Sequence, residues 1–256
     1  MTKTRAFLVH LALSAAVAAA ALAVFIRFWY PLPFFLADGG WQGLRLVVAV
    51  DVVLGPLLTL VVYRATKSRR ELTFDYACIG AVQVLALALG LWTVHGQRTA
   101  LVAFADGKFY TVDAETAESL GPAARAILEE SPTRPPYAVV RMPESPDDRQ
   151  ALRREALEGG RPLHLRGDLL VPLGPEAVAS IADEHPWDPL PDEAEAARRA
   201  AGARTRDGAP PVLVSATCRY RDVVLAFDPS TADLLAWALL PEGPRKRTIR
   251  VSAAAE

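Results

Sequence analysis

The segment Asp51-Val52-Val53-Leu54-Gly55-Pro56-Leu57-Leu58-Thr59-Leu60 places a carboxylate, a glycine and a proline in the middle of an apolar run. That run extends from Leu44 to Tyr63 and is long enough to cross a bilayer. A carboxylate at the centre of hydrocarbon costs about 2.5–3.5 kcal/mol on insertion scales, and a proline cannot donate a backbone hydrogen bond. Such a helix is tolerated only where neighbouring helices satisfy the groups that it leaves open. The segment therefore predicts a small membrane bundle with the Asp51 face turned inward.

Composition divides the chain into two unlike parts. The 256 residues are 52% hydrophobic, and of the 20 prolines only Pro31, Pro33 and Pro56 precede Gly96. Residues 97–256 are charged, rich in proline and numerous enough for one domain with its own core. We therefore predict a membrane α-helical bundle with three transmembrane helices at 1–96, followed by a soluble α+β domain. A net charge of −1 gives no basis for nucleic-acid binding, which requires a basic face.

The first predicted helix covers residues 7–30. A charged start at Lys3 and Arg5 followed by apolar residues is also typical of a cleaved signal peptide, but this run is longer than an h-region of about 7–15 residues. We therefore favour a retained helix over a cleaved peptide. Its end at Trp29 and Tyr30 has the aromatic character found at the level of the lipid headgroups.

A short loop from Pro31 to Trp41 precedes the second helix, which is predicted at 43–63. Two prolines keep the loop extended, and Gly39-Gly40 allows it to turn. Two interpretations remain open. The loop is either a hairpin held in the membrane interface by its aromatic side chains, or a docking surface for another membrane segment. The residues concerned are Trp29, Pro31, Pro33, Phe34, Phe35, Gly39, Gly40 and Trp41.

The loop between the second and third helices sets the orientation of the bundle. It carries four basic residues against one acid, Glu71, and the basic residues are Arg64, Lys67, Arg69 and Arg70. The third helix is predicted at 74–95. By the positive-inside rule this loop is cytoplasmic. Three crossings then place the N-terminus inside and everything after the third helix outside.

The soluble part is predicted to have strands at both ends of its sequence and helices between them. Apolar runs at 101–105 and 108–112, joined by Asp106-Gly107, predict a hairpin. Ser145-Pro146-Asp147-Asp148 opens a helix with a cap residue, a proline and two acids in the first turn. Further strands are predicted at 137–142, 212–218, 222–227 and 234–240, and further helices at 114–120, 122–130, 175–183 and 192–203.

Catalytic and metal-binding motifs are not found in the sequence. It has no Gly-x-Ser-x-Gly, no His-Glu-x-x-His and no Walker loop. The four histidines share no metal-ligand spacing, and His164 and His185 are expected to be solvated in proline-rich loops. Asp147-Asp148 is interpreted as helix capping rather than as a metal-binding pair. We therefore predict no enzyme activity, no cofactor and no metal.

The role of Asp51 has three interpretations. It fixes the helix register through a polar contact, for which Gln83 in the third helix is the expected partner, or it recognises a polar group on a partner helix. The third interpretation is a proton relay. A relay requires a chain of titratable groups, and we find a single such group, Asp51. Gly55 is expected to let another backbone approach closely, and Pro56 to free the carbonyl of Val52.

Three motifs in order resemble the type IV pilin accessory proteins, the TfpZ/FimB-like family. They are Phe28-Trp29-Tyr30-Pro31-Leu32-Pro33-Phe34-Phe35, then Gly39-Gly40-Trp41, and then the segment from Asp51 to Leu60. Lys67-Ser68-Arg69-Arg70-Glu71-Leu72, Asp75 and Gln83 also fit that pattern. The resemblance covers roughly residues 1–115 and is weak beyond them.

This resemblance implies an inner-membrane protein of a Gram-negative bacterium with a periplasmic C-terminal domain. It implies an accessory factor or chaperone that helps a cognate type IV pilin to mature, assemble or stay extended. The partners implied are the pilin, the lipid bilayer and other pilus assembly proteins. It carries no established residue roles, so the partner-binding candidates are physical inferences: Asp51, Gly55, Pro56 and Gln83, with the eight residues given for the first loop. Two alternatives remain open, a membrane enzyme that modifies the pilin and a membrane-anchored sensor unrelated to pili.

Overall fold

The computed structural model describes residues 3–62, 68–190 and 193–241, with the backbone alone at Lys3, Ala6, Asp51 and Leu54. Most of the predicted basic loop, at 63–67, therefore lies outside the described residues, as does the side chain of Asp51.

Three helical segments form the N-terminal part, which we call the helical bundle. Each is long and apolar enough to cross a membrane, and they cover Phe7–Trp29, Gly40–Val62 and Arg69–Gly96. The first consists of α1, Lys3–Val24, and a π-helical turn at Phe25–Trp29. Three long apolar helices are therefore present, as expected; the second begins at Gly40 and the third at Arg69, earlier than the predicted 43 and 74.

The second segment is not a uniform α-helix. It consists of α3, Gly40–Val47, a π-helical stretch, Val48–Leu54, and α4, Gly55–Val62. At the boundary the N–H of Gly55 donates to the carbonyl of Val50. Because Pro56 has no N–H, the α-helical pattern cannot pass through it unchanged. A π-helical stretch is one known form of such an interruption, and here it carries Asp51.

The third segment is one long helix, α5, Arg69–Gly96, which begins at a capping box. The Ser68 hydroxyl accepts the N–H of Glu71, and the Glu71 carboxylate accepts the N–H of Ser68 at 2.8 Å. The loop between the first two segments contains one further short helix, α2, Phe34–Ala37. This loop, residues 31–39, is called the junction loop below because it connects two segments of the bundle and also contacts the C-terminal part of the chain.

The C-terminal part, the sheet domain, contains a seven-stranded mixed sheet in the order β4-β3-β1-β2-β5-β6-β7. The strands are β1 Thr99–Ala105, β2 Lys108–Asp113, β3 Tyr137–Val140, β4 Leu170–Pro172, β5 Val212–Thr217, β6 Val223–Phe227 and β7 Leu234–Leu239. The β1–β2 pair is the predicted hairpin, closed by Asp106 and by Gly107 with a φ of +86°. Parallel pairing of β1 with β3 and of β2 with β5 makes the sheet mixed.

Helices cover both faces of this sheet, as expected of an α+β domain. They are α6 Ala114–Glu118, α7 Pro122–Glu130, α8 Pro146–Leu157, α9 Pro175–Glu184 and α10 Ala194–Ala201, with short 3-10 turns at Leu163–Leu165 and Gly167–Leu169. Alternate residues of β1 point to opposite faces. Val102 and Phe104 therefore pack in one core with α9, whereas Leu101 and Ala103 pack in the other with α6 and α7.

Two histidines of the sheet domain are half-buried against aromatic rings and are thus less solvated than expected. The His164 ring stacks on Tyr110 with the ring centres 4.2 Å apart, and the His185 ring lies 5.8 Å from that of Phe104. Burial, helped by the nearby Lys108, lowers the pKa of His164. Proline-rich surroundings suggested exposed loops, but the aromatic side chains on β1 and β2 offer both rings an apolar surface.

Candidate functional site

A cleft opens between α1, α4 and α5 in the half of the bundle that lies away from the sheet domain. Its volume is about 440 Å³, and most of its wall is apolar. The wall includes Leu13, Val17, Ile79, Val84 and Leu87, and the polar side chains in it are His10, Ser14, Thr59, Tyr76 and Gln83. The cleft is therefore a largely apolar surface with polar groups from three helices.

Three of these polar side chains form one hydrogen-bonded group across the bundle. His10 Nδ1 lies 2.5 Å from the hydroxyl oxygen of Thr59, and His10 Nε2 lies 3.0 Å from Oε1 of Gln83. Since the amide oxygen of Gln83 accepts, Nε2 donates to it. The Thr59 hydroxyl can donate or accept, so both ring nitrogens have a hydrogen-bond partner. We call this group the His10 triad.

Gly55 makes room for the triad. A side-chain carbon built on Gly55 would lie 2.1 Å from Nε2 and 2.7 Å from Cδ of Gln83, so the amide occupies the space beside the glycine. Gly55 itself is buried. The group beside Gly55 is the side chain of Gln83, and the expected approach of another backbone stays a prediction. Gln83, predicted to contact Asp51, pairs with His10 in the described part of the chain.

His10 and Thr59 were not among the predicted site residues. His10 stands in the apolar run of α1, only five residues after Arg5. The available signal was a titratable residue inside an apolar helix, which usually faces the interior of a bundle and pairs with another polar group. Nothing in the spacing of residues 10, 59 and 83 indicates which of the polar residues will meet.

The junction loop forms the second notable site, because it enters the sheet domain. The Asp38 side chain is only 3% exposed and accepts three hydrogen bonds. The hydroxyl of Thr99 donates at 2.5 Å, that of Thr111 at 3.1 Å, and the backbone N–H of Arg219 at 2.7 Å. One loop carboxylate therefore holds β1, β2 and the segment that follows β5.

Backbone contacts extend this attachment. The carbonyl of Ala37 accepts the N–H groups of Tyr220 and Arg221 at 3.0 and 3.1 Å. Phe34 and Ala37 are buried in the same apolar core as β1, β5 and β6. Burial raises the pKa of the Asp38 carboxyl, and its hydrogen bonds oppose part of that rise. We call Asp38, Ala37 and their partners the Asp38 latch.

The other predicted loop residues lie on both sides of this latch. Trp29 stacks on Phe25 with the ring centres 5.3 Å apart and meets the His95 ring edge-on. Pro33, Phe34, Phe35 and Gly40 are buried within the chain, Pro31 is half-buried, Gly39 has a φ of +119° beside the Tyr220 ring, and Trp41 is 47% exposed. The loop thus packs on its own chain, an arrangement that neither earlier interpretation included.

The cleft presents a largely apolar wall. Across residues 3–62, 68–190 and 193–241, no three His, Cys, Asp or Glu side chains are grouped so as to hold a metal ion. The polar atoms of the His10 triad pair with one another within an apolar wall. Such a wall suits an apolar segment that carries few polar groups.

Comparison with known proteins places the chain in a family. Residues 1–39 match the model of the family described as fimbrial assembly protein FimB. The fimbrial assembly protein of serogroups C1 and C2 from Dichelobacter nodosus is 30% identical over 96 residues, which cover 38% of this chain and 73% of that protein. The proteins of serogroups I and E1 from the same organism are also 30% identical over 96 residues, and the match spans 37% of the length of each. No solved structure matches the chain. Because the chain is 30% identical to the protein of serogroups C1 and C2 over 73% of that protein's length, it belongs to the fimbrial assembly protein family.

Proposed function

We propose that this protein is a membrane accessory factor that supports the assembly of a type IV pilus by holding its pilin before incorporation. The observation that carries the proposal is the membership in the fimbrial assembly family. The relatives are named for assembly rather than for a reaction, so we propose a non-enzymatic role. The partners would be the cognate pilin, the bilayer and other assembly proteins.

The three apolar segments support an inner-membrane location with the N-terminus in the cytoplasm and the sheet domain in the periplasm. Arg69 and Arg70 stand at the end of the bundle away from the sheet domain, on the side that the positive-inside rule makes cytoplasmic. Alkaline phosphatase fused after Gly96 should then be active, and the same enzyme fused after Arg70 should be inactive. The opposite pattern would refute this topology.

The cleft with the His10 triad is the place where we propose that the pilin contacts the bundle. Before assembly a pilin is a membrane helix with a periplasmic head, so it has an apolar segment of suitable shape. An apolar wall with small residues such as Ser14 and Gly80 permits close approach of a helix. Trp41, exposed on the second segment, is a further candidate contact.

The Asp38 latch gives this proposal a mechanical basis. A helix in the cleft and a head beside the sheet domain would be held by two surfaces fixed to each other through Asp38. Two weak contacts on one rigid frame bind more tightly than either contact alone, because the second contact becomes intramolecular. Asp51, which lies in the π-helical stretch, and Pro56, which follows it, remain proposed contributors.

Deleting the gene tests the proposal. Surface pili should fall strongly while the pilin transcript remains unchanged, because the protein acts after synthesis. Pili would be counted by electron microscopy and the transcript by quantitative PCR, with a plasmid copy as the control. A deletion strain with normal pili, in a cell that carries no second copy of the gene, would refute the proposed function.

A further inference from the structure

A second pocket lies where the helical bundle meets the sheet domain, and we propose that it binds the phosphate group of an anionic phospholipid of the outer leaflet. The inference rests on the membrane crossing in the proposed function and does not depend on the pilin. The pocket has a volume of about 130 Å³ and combines polar and apolar walls. Its walls include Phe28 and Trp29 at the end of the first segment, and Arg98, Glu118 and Arg134 of the sheet domain side.

The position of the pocket corresponds to the headgroup level of a membrane. The first segment ends at Trp29 and the third at Gly96, so both segments leave the apolar layer beside this pocket. Phe28 is 65% exposed, and the guanidinium of Arg27 lies over its ring, 5.3 Å from the centre. Aromatic rings with neighbouring cations are typical of the interface between hydrocarbon and water. A lipid that lies against the bundle would therefore present its phosphate here.

Two cations converge on the pocket. Arg98 is half-buried, and one of its terminal nitrogens donates to the backbone carbonyl of His95 at 2.7 Å. That bond fixes the guanidinium at the end of α5. Burial lowers the pKa of Arg98, and the nearby Glu118 opposes that change. Arg98, Glu118 and Arg134 all line the same pocket. Arginine presents several donors in one plane and binds phosphate oxygens in pairs.

The charges around the pocket are unbalanced. Arg27, Arg98 and Arg134 stand at this end of the bundle, and Glu118 is the acid in the described pocket wall. Among the residues that the structure describes, no carboxylate forms an ion pair with any of the three. The positive-inside rule disfavours such a cluster of arginines on the outer side of a bacterial inner membrane. An anionic headgroup offsets this excess of positive charge.

A lipid fits this pocket better than an acidic protein segment does. The exposed Phe28 ring and Trp29 extend the cationic wall into an apolar one. A phospholipid has this order of groups, with a phosphate directly above its chains. A soluble acidic peptide offers charge without the apolar part.

Native mass spectrometry of the purified full-length protein in detergent tests the inference. With equal amounts of phosphatidylglycerol and phosphatidylcholine, the protein should retain phosphatidylglycerol preferentially. Arg134→Gln should weaken that binding about fivefold, the effect of one cation on attraction to an anionic lipid. Glu118→Gln should strengthen it by a similar factor, a gain that a misfolded protein cannot produce. Arg125→Gln, at an exposed position of α7, is the matched control and should change nothing.

Three results would overturn the inference. They are equal retention of the two lipids, no effect of Arg134→Gln and Glu118→Gln on phosphatidylglycerol, or displacement of the lipid by inorganic phosphate at equal concentration. The last would assign the pocket to a free anion. Because no pilin is present in this assay, its failure is distinguishable from failure of the proposed function, which is measured by counting pili.

Discussion

Replacing Asp38 with leucine should detach the junction loop from the sheet domain and lower the stability of the protein severely. The substitution removes the acceptor of three donors, the buried hydroxyl of Thr99 and the partly buried hydroxyl of Thr111 and N–H of Arg219. A buried donor without a partner costs about 1–3 kcal/mol, so the expected loss is on the order of 3 kcal/mol or more. Thermal unfolding and limited proteolysis in detergent measure it, and cleavage between the two parts should become faster.

Asp38→Asn is the matched variant. Its amide oxygen still accepts from Thr111 and Arg219, and its NH₂ group can donate to the hydroxyl oxygen of Thr99. Stability should therefore stay close to that of the wild type. Asp188→Leu, at an exposed position, controls for the loss of an aspartate and should be neutral. If Asp38→Leu is as stable as Asp188→Leu, the latch does not hold the two parts together.

The pH dependence of this site follows from the same burial. Because burial raises the pKa of Asp38 above its value in the unfolded chain, the folded protein binds that proton more tightly. The stabilisation from this proton is complete below the pKa of Asp38 in the unfolded chain. It is lost as the pH rises through the pKa of Asp38 in the folded protein. The wild type should thus lose stability relative to Asp38→Asn as the pH rises from about 4. A difference between the two that is constant with pH would contradict this assignment.

Gly55→Ala should disrupt the His10 triad and reduce piliation toward the level of the deletion strain. A methyl group at this position would lie 2.1 Å from Nε2 of Gln83, so the amide must shift, and we expect it to lose its bond with His10. A buried polar group that loses its partner costs about 1–3 kcal/mol. The cleft changes shape at the same time, because His10, Thr59 and Gln83 line it. Piliation and protein level are measured together, so that loss of the cleft is separated from loss of the protein.

Gly90→Ala is the matched control. An added side-chain carbon on Gly90 meets no atom within 4 Å, although the residue lies in the same bundle. A double-mutant cycle with Gln83→Ala identifies the cause. Once the amide is gone, Gly55→Ala has nothing to displace and should add no further defect. Equal effects of Gly55→Ala with and without the Gln83 side chain would show that crowding at Gln83 is not the mechanism.

Local patterns predicted local structure. Asp106-Gly107 between two β-favouring runs gave the β1–β2 hairpin, because only a few residue pairs close such a turn. Ser145 caps α8 as expected, and its hydroxyl accepts the N–H of Asp148. The three apolar segments followed from length and hydropathy alone. In each case the signal and the structure occupy the same short stretch of chain.

Contacts between distant residues could not be predicted in this way. Asp38 meets Thr99, Thr111 and Arg219, and these partners belong to different elements of the sheet domain. An aspartate before two glycines is an ordinary turn signal, so the sequence offered no reason to bury it. The preference of Gln83 for His10 depends on how three helices pack. Composition therefore indicated that the bundle would need internal polar contacts, but the packing of the helices determines which polar residues pair.

Photocrosslinking from inside the cleft tests the central proposal most directly. A photoreactive amino acid is placed at Leu13, which lines the cleft, and in a second strain at Val82, a 65% exposed position outside the cleft wall. If the cleft receives the pilin, illumination of intact cells should yield a crosslink between position 13 and the membrane helix of the pilin, and little from position 82. Mass spectrometry of the product would identify the pilin residue. Equal crosslinking from both positions, or none from position 13 in cells that contain normal amounts of both proteins, would contradict it.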